Sequence, residues 1–206
     1  EDGSAAAPAR GAGAHRRTRR REGVVSSPAL KEWSAAVHAM LEGRQTVLLR
    51  KGGIHEKRFA VASQRFVFFP TVAHGHAERV RPEFRTLLDA AVSDSTDDEI
   101  VLRGGADVVA AVEVTRPEAI DDLSDLHIWT PASVRSERID FRPRRRLTVL
   151  VVQARPLLEP VRLKRLPDYR GCVSWVDLPI APRWGAPAHD HDAMAGIAER
   201  VRNSVG

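Results

Sequence analysis

The chain has 206 residues, 43% hydrophobic and 29% charged, with 32 Lys and Arg against 27 Asp and Glu and one cysteine, Cys172. This balance fits one globular domain with its own core and excludes a fibrous chain or one disordered throughout. A lone thiol excludes an internal disulfide or a thiolate zinc cluster and points to a reducing, cytoplasmic setting. No apolar run approaches the roughly 18 to 20 residues of a bilayer-spanning helix, so no membrane association is expected.

The formal charge of +5 is unevenly spread. Residues 1–23 hold six arginines against Glu1, Asp2 and Glu22, with no periodic apolar face. They read as a disordered basic tail ahead of a single domain over residues 24–206. Within that domain, residues 86–128 carry eleven acidic groups against Arg103 and Arg116, whereas residues 135–170 carry eleven basic groups against four acidic ones. Stretches of opposite sign invite mutual contact.

Ser27 as N-cap and Pro28 at the first helical position predict a helix carrying Leu30, Trp33, Val37, Met40 and Leu41 on one stripe and ending at Gly43. A strand follows at Thr46–Leu49, broken by Gly52 and Gly53, and a second at Arg65–Phe69, buried on both faces and stopped by Pro70. Phe84–Val92 reads as a short helix. Ile100–Leu102 and Val108–Val114 read as two strands separated by Gly104 and Gly105. Helices are predicted from Pro117 and from Pro131, the latter running through Val134 and Ile139. Leu147–Gln153 reads as a central strand, Cys172–Leu178 as a last core strand covered on both sides, and Ala193–Val201 as a closing helix. The sum is an α+β domain, with a mixed sheet of about five strands flanked by short helices.

Leu30-Lys31-Glu32-Trp33, Gly43-Arg44-Gln45, Leu48-Leu49-Arg50-Lys51-Gly52-Gly53-Ile54 and Phe69-Pro70-Thr71 with His74, then His127-Ile128-Trp129-Thr130 and Tyr169-Arg170-Gly171-Cys172 with Ser174-Trp175, occur in this order. With these blocks, residues 28–180 resemble the bacterial domain-of-unknown-function family 1802. The resemblance implies an association with restriction-endonuclease-like domains, and so with DNA defence.

Two local patterns suggest an anion-binding surface. At Arg50-Lys51-Gly52-Gly53, glycines after a buried strand let backbone N–H groups approach a phosphate while the cations neutralise it. Two glycines also make an ordinary tight turn, and the P-loop spacing is missing. Arg142, Arg144, Arg145 and Arg146, flanked by Phe141 and Pro143, form a second cationic cluster of the kind that tracks a nucleic-acid backbone; pairing with the acidic stretch is the competing reading. Nucleic acid is the partner these suggest.

A metal-dependent phosphodiesterase-like enzyme would need Glu56, Asp107 or Glu113 to converge with histidines such as His55, His74 and His76. Glu113 lacks the lysine two residues on that a nuclease strand requires. A third reading is an interaction module that self-associates through its opposed charges. The sequence assigns no catalytic residue, cofactor or oligomeric state.

Overall fold

The computed structural model describes residues 25–52, 59–72, 76–171 and 173–206, with the backbone alone for His76. The tail over residues 1–23 and the candidates Gly53, His55, Glu56, His74 and Cys172 lie outside the described residues.

Six strands form one mixed sheet in the order β2-β5-β4-β3-β1-β6. Its centre is the antiparallel pair β4 (Glu99–Glu113) and β5 (Leu147–Lys164), registered from Glu99 opposite Lys164 to Glu113 opposite Thr148. Strand β2 (Val47–Lys51) runs antiparallel to β5 at one edge. On the other side β3 (Arg65–Thr71) pairs with β4, and β1 (Ser27–Trp33) lies parallel to β3. The four-residue β6 (Trp175–Leu178) closes the far edge antiparallel to β1.

Side-chain alternation along β3 divides the interior. Phe66 and Phe68 enter the larger core, with Leu30, Met40, Leu150 and Val201; Val67 and Phe69 enter a smaller one on the opposite face, with Ala29, Leu102, Tyr169 and Leu178. The helices α1 (Ser34–Leu41), α3 (Thr86–Val92) and α5 (His191–Val205) supply residues to the larger core. Helix α5 packs over β4, β5 and the 3-10 segment Pro117–Leu126, burying Met194, Ala198, Val201 and Val205 at helical spacing. Two short helices, α2 (His76–Arg79) and α4 (Pro131–Val134), lie in the connections.

Four elements differ from the sequence reading, each for a physical reason. The predicted first helix is strand β1 up to Trp33 and helix only from Ser34, because Ser27 does not cap: its hydroxyl donates to Ile180 O at 2.9 Å, and the backbone pairs with both β3 and β6. Pro70 does not stop β3, which continues to Thr71 with Pro70 opposite Glu32. Gly104 and Gly105 do not separate two strands; they lie inside one, where other chain segments press close. A Cβ on Gly105 would lie 2.0 Å from Phe66 O, and one on Gly104 2.5 Å from Arg155 O. The last strand forms only from Trp175 and is a sheet edge rather than a strand covered on both sides.

Candidate nucleic-acid interface

Although β2 and β1 are separated in the sheet by β5, β4 and β3, their C-terminal ends meet. Arg50 Nη1 donates to Lys31 O at 3.1 Å and to Glu32 Oε2 at 3.2 Å, so the sheet curls until one side chain spans the gap between its separated strands at one mouth. Glu32 is buried; its Oε1 accepts from Trp33 N at 2.8 Å, and its own carbonyl accepts from Thr71 Oγ1 at 3.1 Å. The Arg50 guanidinium lies 5.2 Å from the Phe59 ring centroid, a cation–π contact.

Further charges gather here that sequence reasoning missed. Thr130 caps α4 by accepting from Ser133 N, and α4 runs on into a π-helical turn, Arg135–Asp140. This turn brings Glu137 and Arg138 to the mouth, beside the edge-to-face pair of Trp33 and Trp129 with centroids 4.9 Å apart. Burial pushes the Arg138 guanidinium below its ordinary value; Glu32 and Glu137 pull it upward, and Arg50 and Arg79 push it further down. Arg79 pairs with Glu137 and stacks 5.1 Å from the Trp33 ring. The pocket between the tryptophans and Arg138 has room for about 10 Å³ of water centres, roughly one water, so it is a packed floor rather than a ligand cavity. Glu32 sits in the Leu30–Trp33 block, which could have marked it as a charge in an apolar strand; Arg138 carried no comparable signal.

The two cationic patterns are brought together. Lys51 Nζ donates to three carbonyl oxygens, Ile139 at 3.1 Å, Phe141 at 2.5 Å and Arg142 at 3.2 Å, fastening the end of the π turn to the end of β2. Burial pushes the Lys51 ammonium down, Arg138 adds to this, and Asp140 opposes it. Arg50 and Lys51 thus turn their charge toward the chain, and Gly52 is buried. Arg142 and Arg144 turn outward. Arg142 adopts the left-handed region at φ 51°, a conformation costing a non-glycine residue about 1 kcal/mol. Its guanidinium lies 4.9 Å from the ring of Phe141, which is itself 53% exposed. Arg144 is exposed with no partner among the described residues, whereas Arg146 pairs with Glu113.

The oppositely charged stretches meet within the chain. Arg155 and Arg65 both hold Asp107, at 2.9 and 2.5 Å, and Arg162 holds Glu99 at 2.5 Å. Asp107 is therefore engaged by two guanidinium groups; burial alone would push its carboxyl up, but these hydrogen bonds hold it below the ordinary range. Asp107 and Glu113 stand six residues apart on β4, about 20 Å along a strand, too far for one ion to bridge. Among the described residues no group of three potential metal ligands occurs. His76 begins α2, and His127 is buried, its Nδ1 accepting from Trp129 N at 3.2 Å. His189 Nε2 is 2.9 Å from Gly43 O, and Asp190 caps α5.

No helix among the described residues is long and apolar enough to cross a membrane. No curated protein matches the chain. Among solved structures, a crystal structure of ASCH from Zymomonas mobilis is similar at 15% identity, covering 65% of this chain and 71% of that one with a TM-score of 0.41. Two crystal structures of single-substitution mutants of that protein are similar at 14% and 16% identity, covering 65% of this chain and 72% and 73% of theirs, with TM-scores of 0.42 and 0.41. The family model described as Domain of unknown function (DUF1802) matches residues 29–200, and the chain belongs to that family.

Proposed function

We propose that this chain binds nucleic acid through the loop Phe141–Arg146, in keeping with an association with DNA defence. The observation that carries the reading is the outward placement of Arg142 and Arg144 beside an exposed Phe141, on a loop that Lys51 fastens to the end of β2. Guanidinium groups suit the sequence-independent grip on phosphates, and an exposed ring offers a face on which a base stacks. Arg50 and Lys51 serve this surface by position: one closes the curled sheet, the other holds the loop.

Fluorescence anisotropy with labelled single- and double-stranded oligonucleotides, titrated with salt, tests the proposal. Two phosphate contacts predict an affinity loss of roughly tenfold between about 50 and 200 mM salt. The Arg142→Ala, Arg144→Ala double variant should bind more weakly and with a shallower salt slope. Salt-insensitive binding, or binding the double variant leaves unchanged, overturns the reading.

A further inference from the structure

On the opposite side of β1 from Glu32, an open groove of about 1070 Å³ runs between the ends of β1 and β3 and the turns at residues 95–98 and 165–171. It lies at the upper end of the volumes that hold small ligands. Its walls are firmly built. Arg165 fixes one turn to the other, donating from Nε to Thr96 O at 2.6 Å and from Nη2 to Ser95 Oγ at 2.5 Å, while its backbone N–H donates to Asp98 O at 2.7 Å. Lys31 Nζ donates to Gly171 O at 3.1 Å across the mouth of the groove. Behind these, Phe69 and Tyr169 meet edge to face with centroids 5.5 Å apart.

Three unspent chemistries face this space. Arg170 carries a guanidinium with no partner among the described residues, whereas the Arg165 guanidinium is committed to Ser95, Thr96 and the face of Phe69. Next to Arg170, Tyr169 is only 6% exposed, yet its hydroxyl bonds to no described residue and is not sealed in the interior. Burial and then Asp168 push this phenol upward, so it stays protonated and able to donate. The turn at residues 95–98 presents the carboxylates of Asp97 and Asp98, neither in an ion pair. The lip is apolar, with Val72 41% and Val92 60% exposed.

We propose that this groove binds a mononucleotide, its phosphate on Arg170 and the Tyr169 hydroxyl, its ribose hydroxyls on Asp97 and Asp98, and its base against Val72 and Val92. A guanidinium with a phenolic donor matches a phosphate, carboxylates accept from ribose hydroxyls, and an apolar lip covers the face of a base. The groove shares no residue with the Phe141–Arg146 loop, so the proposal stands independently of the interface above.

Isothermal titration of the full chain with AMP, GMP, CMP and UMP, with adenosine and inorganic phosphate as half-ligand controls, tests it. A 5′-phosphorylated dinucleotide distinguishes a free mononucleotide from the end of a strand. At least one mononucleotide should bind more tightly than adenosine or phosphate. Tyr169→Phe, which keeps the ring, and Arg170→Ala should each weaken it roughly tenfold, the scale of one hydrogen bond to a charged group, with the melting temperature unchanged. Asp98→Asn should weaken the mononucleotide but not phosphate. Absence of binding at millimolar nucleotide, or binding that responds to Arg144→Ala but not to Tyr169→Phe and Arg170→Ala, overturns the proposal.

Discussion

Arg50 and Glu32 form an ion pair across two strands that are not neighbours in the sheet, with side chains only 16% and 7% exposed. Removing one partner strands a buried charge, so Arg50→Ala should destabilise the fold by about 3 to 5 kcal/mol. The double replacement Arg50→Met with Glu32→Gln removes both charges and should recover most of that loss. Urea unfolding of the three proteins measures the difference; a double variant no more stable than the single one contradicts this account of the mouth.

Burial pushes the His127 imidazole down to about 4, with Arg81 adding to the effect, against roughly 6.5 in an unfolded chain. The unfolded state therefore takes up a proton at a pH where the folded state does not. Stability is intact above about pH 6.5 and falls as pH drops toward 4, by about 3 kcal/mol in all. His127→Asn, which keeps an acceptor for Trp129 N, should flatten this part of the profile. Unfolding free energies at intervals between pH 7 and 4 give the slope.

Two glycines should respond differently to alanine. At Gly105 a Cβ would meet Phe66 O at 2.0 Å, backbone that cannot move without parting β3 from β4, so Gly105→Ala should cost about 3 kcal/mol or more. At Gly171 a Cβ meets nothing within 4 Å, and only the left-handed backbone at φ 89° resists, so Gly171→Ala should cost about 1 kcal/mol. Thermal unfolding of the pair separates crowding from backbone strain.

Lys51→Met keeps the apolar stem and deletes the three bonds to Ile139, Phe141 and Arg142 carbonyls. The loop should then open more often. Trypsin cleavage after Arg144 and Arg145 should accelerate by roughly tenfold, the equivalent of about 1.4 kcal/mol of local opening. An unchanged digestion rate would mean the staple does not hold the loop.

These contacts explain which features were legible in advance. Continuous apolar runs announced Arg65–Phe69 and Leu147–Gln153, because a strand buried on both faces has no polar side to show. Glycine at 104–105 signals a turn and a close backbone approach alike, and only the presence of Phe66 O decides between them. Leu30, Trp33 and Val37 keep helical spacing by coincidence across a strand-to-helix junction. At the mouth, Arg50 and Lys51 are visible as charges, but their partners, Glu32 and the carbonyls of Ile139, Phe141 and Arg142, are chosen by sheet curvature and a π turn, neither of which leaves a periodic mark.

The π turn at Arg135–Asp140 also fixes an angular phase. In a regular helix each residue advances the chain by about 100°, and a π turn accommodates one residue beyond that winding. Shortening the segment by a single residue would let it relax to ordinary pitch and swing Arg138 roughly a quarter-turn from Glu32. Length here is thus a tuning parameter, to which the aim of one guanidinium is more sensitive than to the identity of the residues around it.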